Sequence, residues 1–137
     1  MLKINYQIDS PKKSSTLKYI CIIKKIIKLI KGDEMDRKKL AIDFAKSLEH
    51  SEIEKIILYG SVARGDDNKD SDIDILIIIH NHSDKKKIKD DIHAKTFNIL
   101  LKTGEFISTK FKSMDHCEKY KDFSYFKTIN KEGILIS

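Results

Sequence analysis

The chain has 137 residues and only two cysteines, so we expect one domain in a reducing, cytoplasmic setting, without a disulfide framework and without a separate acceptor-binding domain. Apolar residues make up 40 % and charged residues 35 % of the sequence, a composition typical of a globular fold. Eight lysines and three acidic residues in the first 34 positions supply +5 of the net charge of +6, so a basic face for DNA or RNA is not expected on the nearly neutral remainder.

Residues 17–31 are predicted to form a basic amphipathic helix, because isoleucines and a leucine recur at three- and four-residue spacing before Gly32. Lysines interrupt this stretch, which therefore falls short of the ~20 apolar residues that a membrane span needs. Packing on the domain or on a partner is favoured over attachment to a membrane surface. We expect no membrane interaction from the chain as a whole.

Residues 31–35 (Lys-Gly-Asp-Glu-Met) can be encoded by a purine-rich stretch that resembles a ribosome-binding site before a start codon. The Lys/Ile-rich segment before it resembles translated AT-rich DNA. We therefore hypothesise that residues 1–34 are an N-terminal extension and that Met35 is the physiological start of a domain over 35–137.

From Met35 onward the pattern predicts the order helix, strand, strand, helix, strand, helix, followed by a further helical piece and a short extended segment. The predicted helices cover 36–50, 84–101, 114–120 and 123–130, and the predicted strands cover 52–59, 72–79, 105–111 and 134–136. The polar residues 61–71 are predicted to form a loop that can hold one helical turn. In the second long helix, we expect the inward residues to be Ile88, Ile92, Phe97 and Leu100. This order indicates an α+β, or mixed α/β, fold with helices packed on a small mixed sheet.

Two short motifs stand at the ends of the first two predicted strands. Gly60 permits a sharp turn and a close ligand, and Ser61 follows it at a predicted helix start, where free N–H groups favour a phosphate. Asp72 and Asp74 open the second strand, so their side chains project to one face. Two carboxylates at such a short distance repel each other unless a cation lies between them. Magnesium prefers oxygen ligands of this kind. Together the motifs predict a site for metal and phosphate.

Gly60-Ser61, ten intervening residues and Asp72-Ile73-Asp74 resemble the signature of the minimal nucleotidyltransferases, a family within the DNA polymerase beta-like nucleotidyltransferase superfamily. Residues 62–65, Val-Ala-Arg-Gly, also match the family's usual continuation of the Gly-Ser turn. The resemblance covers about residues 36–137, and residues 132–135 resemble the tail of one archaeal and bacterial subgroup.

The resemblance implies transfer of a nucleoside monophosphate, usually AMP from ATP, onto a hydroxyl. In family terms Gly60 and Ser61 bind the triphosphate, while Asp72 and Asp74 bind two magnesium ions that align the reacting oxygens. Arg64 is expected either to steady phosphate charge or to be a solvated turn residue.

The family has a third carboxylate on a later strand, and Glu105 is the only acidic residue in the candidate strand. Alignment of the motif places Phe106 rather than Glu105 at the usual position, and a shift of one residue would turn Glu105 to the other face of the sheet. The third ligand is therefore open from the sequence. Without it, one metal would bind more weakly.

Many members of the minimal subgroup resemble antitoxins that are paired with a HEPN-domain ribonuclease toxin and adenylylate it on tyrosine hydroxyls. The resemblance thus implies a protein adenylyltransferase that acts as an antitoxin in a complex with its toxin. Two alternatives are a small-molecule nucleotidyltransferase completed by a partner subunit and a catalytically inactive antitoxin that neutralises by binding. Nucleic-acid binding through residues 12–31 is a further hypothesis, although DNA and RNA are not the expected partners.

Overall fold

The computed structural model describes residues 13–32 and 35–137, so residues 1–12, 33 and 34 of the predicted extension lie outside the described residues. The helices are α1 (Lys13–Lys31), α2 (Arg37–Lys46), α3 (Gly60–Arg64), α4 (Lys85–Thr103), α5 (Met114–Lys119) and α6 (Ser124–Glu132). The strands are β1 (Ile53–Tyr59), β2 (Ile73–Ile79), β3 (Ile107–Ser113) and β4 (Ile134–Leu135). The α+β prediction is confirmed, with α3 as the helical turn in the predicted loop.

The strands form one mixed sheet in the order β3-β2-β1-β4. β1 is antiparallel to both of its neighbours, whereas β2 and β3 are parallel and are joined by α4 as the crossover. Because β1 and β2 are antiparallel, the end of β1 and the start of β2 meet at the same end of the sheet. Tyr59 pairs with Asp74 at that end.

Three of the helices begin with an N-cap side chain. Asp36, Asp84 and Ser113 each accept a hydrogen bond from the backbone N–H three residues later, at the starts of α2, α4 and α5. These caps satisfy N–H groups that have no partner within the helix. The boundaries that the sequence predicts for these helices follow from the same residues.

Both faces of the sheet are covered, which explains the nearly continuous Ile/Leu run of β2. The odd-numbered isoleucines of β2 belong to the larger core, together with residues of α2 and α4. Leu76 and Ile78 point to the opposite face and pack with Phe126 and Ile129 of α6. Asp74 alternates in step with Leu76, so it lies on the α6 face of the sheet, at its end.

The buried stripe of α4 differs from the predicted one. Its members are spaced four residues apart, namely Ile88, Ile92, Thr96 and Leu100. The prediction that Phe97 points inward is wrong, since Phe97 is 50 % exposed. One residue along a helix is a rotation of about 100°, which carries Phe97 off the stripe that Thr96 occupies.

Helix α1 packs against α4. Ile20, Ile23 and Ile27 are half-buried, but Leu17 and Ile30, which the sequence places on the same face, are exposed. Within 13–32 and 35–137, no helix combines the length and the apolar character needed to cross a membrane.

Candidate active site

The candidate site lies where β1 ends and β2 begins. Asp72 directly precedes β2, and Asp74 is the second residue of that strand, opposite Tyr59. Asp72 lies just outside the strand, so alternation does not fix its direction, but its carboxylate is close enough for its charge to act on Asp74. Asp74 is half-buried, whereas the side chain of Asp72 is 41 % exposed. One carboxylate is therefore fixed in the fold, and the other faces solvent.

Gly60 fits directly against the carboxylate of Asp74. Its φ of 77° lies in the left-handed region, and a Cβ built at this position would clash with Oδ2 of Asp74. Both the backbone angle and the absent side chain require glycine here. The structure thus brings the Gly-Ser turn and the second carboxylate of the Asp-x-Asp motif into contact.

The surroundings of Asp74 oppose its negative charge. Desolvation by burial raises the pKa of the Asp74 carboxyl above its ordinary value, and the nearby charge of Asp72 raises that pKa further. The positive charges of Lys110 and Arg64 lower it to a smaller extent. A carboxylate in this position gains stability from any cation that approaches it.

Asp72 already has a cation beside it. Lys24 of α1 donates from Nζ to Asp72 Oδ1 at 2.5 Å and to the backbone oxygen of Asp70 at 3.1 Å. The sequence does not single out this lysine, because its partner is 48 residues away. The one available signal is that Lys24 shares a helical face with Ile20 and Ile27.

Helix α3 carries the remaining predicted site residues. Ser61 follows Gly60 in the first turn, and its backbone oxygen accepts a hydrogen bond from the N–H of Gly65 at 2.9 Å. Arg64, at the other end of α3, donates to Asp66 at 3.1 Å and to Glu132 of α6 at 3.0 Å. In this structure Arg64 joins α3 to α6.

Glu105 belongs to a buried ion-pair cluster on the other side of the sheet. It is 1 % exposed and lies 2.5 Å from Arg37 Nε and 2.8 Å from Lys28 Nζ. Arg37 also binds Asp67 at 2.7 Å. Glu105 alternates in step with Ile107, which packs in the α2 and α4 core. β3 begins at Ile107, so Glu105 lies just before the strand that the sequence predicts over 105–111, and its contacts place it on the α2 side of the sheet.

Asp72 and Asp74 are the residues that could hold a metal ion. In the described part of the chain, no group of three or more His, Cys, Asp or Glu side chains could hold one. Magnesium is commonly bound through one or two carboxylates and completes its shell with water and substrate phosphates. The pair fits such an ion, and the ammonium of Lys24 against Asp72 shows that positive charge is stable at this position.

A family model described as "Nucleotidyltransferase domain" matches residues 38–129 of the chain. That segment contains both motifs and does not include α1. The chain is also 34 % identical over 105 residues to a Methanocaldococcus jannaschii protein described as "Putative protein adenylyltransferase MJ0604". The alignment covers 74 % of this chain and 99 % of that protein.

Two solved structures resemble the fold weakly. One, described as "Crystal structure of the toxin-antitoxin with AMP-PNP", has a TM-score of 0.45 at 15 % identity. The match covers 75 % of this chain and 73 % of the chain in that structure. The other, a "putative nucleotidyltransferase from Sulfolobus solfataricus", has a TM-score of 0.36 at 19 % identity, with coverages of 93 % and 89 %. The assignment to a family rests on the sequence matches.

Proposed function

The chain belongs to the nucleotidyltransferase domain family through residues 38–129, and from this premise we propose that it transfers AMP from ATP to a tyrosine hydroxyl of a partner protein. We propose further that the partner is a HEPN-type toxin and that the chain is its antitoxin. Two observations support the proposal: the motif from Gly60 to Asp74 resembles that of the antitoxin adenylyltransferases, and the chain is 34 % identical to the Methanocaldococcus jannaschii protein.

The proposed reaction exchanges one phosphorus–oxygen bond for another. The acceptor oxygen forms a bond to the α-phosphorus while the bond from that phosphorus to the oxygen bridging it to the β-phosphate breaks. Pyrophosphate leaves, and the hydroxyl proton passes to water. Magnesium ions held by Asp72 and Asp74 would neutralise phosphate charge and align the attacking and leaving oxygens. The protein itself supplies position and charge rather than a covalent intermediate.

Each site residue has a proposed role in the reaction that follows from its position. Gly60 makes room for the Asp74 carboxylate, which lies where a Cβ would be, and Ser61 adds a hydroxyl donor at the start of α3. Asp74 is held by the rigid strand β2, whereas Asp72 must exchange the ammonium of Lys24 for a metal ion. Arg64 must leave Asp66 or Glu132 before it can steady a triphosphate.

The observation that carries this proposal is the contact between Gly60 and the Asp74 carboxylate. It joins the Gly-Ser turn, proposed to bind phosphate, to a carboxylate that favours a cation. Neither motif alone indicates nucleotidyl transfer, but under this proposal their contact at one end of the sheet would allow a bound phosphate and a bound metal to meet.

The test is an incubation of the chain with α-labelled ATP, magnesium and the protein encoded by the neighbouring gene. We expect label on a tyrosine of that protein, and a loss of at least about 100-fold in Asp72→Ala and Asp74→Ala. Asp43→Ala is the matched control, since Asp43 is an exposed residue of α2 that pairs with Lys39. Labelling that survives in Asp74→Ala would contradict the proposal.

A second candidate function is a catalytically inactive antitoxin that neutralises its toxin by binding. The observation that favours it is the ion-pair cluster around Glu105. The carboxylate of Glu105, the candidate for a third metal ligand, is already paired with Arg37 and Lys28. Under this alternative no label is transferred, and the Asp72→Ala, Asp74→Ala double variant still blocks the toxin. Loss of neutralisation in that variant, while the complex still forms, would exclude it.

A further inference from the structure

An open cleft of about 400 Å³ lies beside the candidate site. Its walls include two lysines of β3, Lys110 and Lys112, and aromatic side chains from the α5–α6 region, among them His116, Tyr120, Tyr125 and Phe126. None of these residues belongs to the Gly-Ser or Asp-x-Asp motifs. The cleft therefore differs in composition from the two motifs, since its walls are aromatic and positively charged.

The cleft adjoins Asp74 on the same face of the sheet. Asp74 pairs with Ser108 of β3, and Lys110 is two residues further along that strand, opposite Leu76. Because side chains alternate, Lys110 projects to the face that Asp74 occupies. On the other side of Asp74, Tyr125 of the cleft hydrogen-bonds to Tyr59 through the two hydroxyls at 3.1 Å.

The aromatic wall of the cleft consists of rings that pack against one another. Tyr120 and Phe123 pack edge to face with their centroids 5.1 Å apart, as do Tyr125 and Phe126. The ring of His116 lies 4.6 Å from that of Tyr120. Edges and faces of aromatic rings attract one another at such distances, so an aromatic side chain that enters the cleft finds complementary partners on its walls.

The two lysines give the cleft a positive charge. Within the described residues, neither Lys110 nor Lys112 forms an ion pair. Desolvation, followed by the charges of Lys112, Lys85 and Lys119, lowers the pKa of His116 below its ordinary value. Unpaired ammonium groups beside aromatic rings match a ligand that combines a ring with negative charge.

We propose that this cleft binds the acceptor segment of the partner protein, and that this segment presents a tyrosine flanked by acidic residues. The inference rests on the proposed function. In-line transfer places the attacking and leaving oxygens on opposite sides of the α-phosphorus. The phosphate turn at Gly60 approaches Asp74 from β1, so the acceptor arrives from the β3 side, where Lys110 lies.

The probe for this site is a random copolymer of glutamate and tyrosine, with a copolymer of glutamate and alanine as the control for charge alone. Binding of each copolymer and of a fluorescent ATP analogue is measured on the full chain. We expect the tyrosine copolymer to bind more tightly than the alanine copolymer. The Lys110→Gln, Lys112→Gln double variant should weaken it about tenfold. Because the charge of Lys110 also acts on Asp74, binding of the ATP analogue should change too, but by much less than tenfold.

Charge-matched controls separate this result from a general loss of positive charge. Lys87→Gln with Lys102→Gln removes two exposed lysines of α4 and should leave copolymer binding unchanged. Tyr120→Leu is a second cleft variant that keeps both lysines, and it should reduce the preference for the tyrosine copolymer. The melting temperature of each variant shows whether it is folded.

Three results would overturn the assignment. The cleft variants could bind the copolymer as the parent chain does, the control variant could lose binding equally, or the cleft variants could lose the ATP analogue while they keep the copolymer, which would make the cleft a nucleotide subsite. Binding does not require chemistry. If the cleft variants lose the copolymer as expected but the parent chain transfers no label to any protein, the proposed function fails and the acidic-aromatic site stands.

Discussion

Lys24 of α1 and Asp72 of the Asp-x-Asp motif form an ion pair of 2.5 Å, in which the lysine side chain is 9 % exposed and the aspartate side chain is 41 % exposed. One turn later on α1, Lys28 binds the buried Glu105 at 2.8 Å. Helix α1 is thus attached to the domain through two carboxylates, one of which is a candidate metal ligand. A metal ion that binds Asp72 has to compete with the ammonium of Lys24.

Replacement of Lys24 by Met should strengthen binding of Mn²⁺, used as a paramagnetic substitute for Mg²⁺. Because Asp72 is partly exposed, the competing pair is worth no more than ~1 kcal/mol, so we expect a gain of about two- to fivefold. Titration followed by electron paramagnetic resonance measures it. Lys25→Met, on an exposed position of the same helix, is the control. Equal or weaker binding in Lys24→Met would show that this lysine does not compete.

Alanine at Gly60 and at Gly65 should have different consequences. Both residues have positive φ, 77° and 82°, so both substitutions strain the backbone, at roughly 1 kcal/mol each. Only at Gly60 would the new Cβ meet the Asp74 carboxylate, since nothing lies within 4 Å of a Cβ at Gly65.

We therefore expect Gly60→Ala to reduce nucleotidyl transfer about 100-fold through displacement of Asp74, and Gly65→Ala to retain most of it. Initial rates and thermal melting of the two variants provide the measurement. Similar rates for both would mean that the contact between Gly60 and Asp74 does not matter for transfer.

Replacement of Asp74 by Asn should stabilise the fold at neutral pH while it abolishes transfer. Burial, followed by the charge of Asp72, raises the pKa of Asp74 in the folded chain. Between the unfolded and folded pKa values the folded state binds more protons, so the stability of the parent chain falls as pH rises through that window. The Asn variant has no such loss.

The difference in melting temperature between the Asn variant and the parent chain is the readout, measured without metal from pH 3 to pH 7. We expect it to increase with pH and to level off once Asp74 is ionised in both states. A difference that is constant over this range would mean that the fold does not oppose the charge of Asp74.

Glu105→Ala should destabilise the chain by about 3 kcal/mol, because it leaves the buried guanidinium of Arg37 without its main partner. The control, Asp43→Ala, breaks an exposed pair with Lys39 and should change the free energy of unfolding by less than about 0.5 kcal/mol. Denaturant unfolding measures both. Since Glu105 is not proposed to bind metal, Mn²⁺ affinity should persist in folded Glu105→Ala, and a large loss would assign it a place in the metal site.

The start of the native chain is a matter for mass spectrometry. We hypothesise translation from Met35, in which case the native protein lacks α1 and Asp72 is free of Lys24. A tryptic peptide from residues 1–30 in the native protein would disprove this. In a chain that starts at Met35, Mn²⁺ binding should resemble or exceed that of Lys24→Met, because both lack the same competing ammonium.

The sequence alone was sufficient for the motifs and for the elements that hold them. Asp74 belongs to an Ile/Leu run that the sequence predicts as a strand, and Asp72 lies directly before it. The Gly-Ser turn follows the preceding strand in the same way. These inferences succeed because they depend on periodicity and spacing over a few residues, which every sequence displays directly. The same kind of rule fails for Phe97, where two neighbouring residues compete for one helical stripe.

Only the tertiary structure decided which distant residues meet at those elements. Lys24 and Asp72 are 48 residues apart, and Arg37 and Glu105 are 68 residues apart. Their pairing depends on how α1 and α2 pack around the sheet, and the pattern of lysines and glutamates along the chain does not reveal it. The cleft beside Lys110 likewise exists only because β3 lies parallel to β2 while α5 and α6 return over the same face. Ion pairs and clefts join segments through topology, and topology is set by the packing of the whole domain rather than by local sequence.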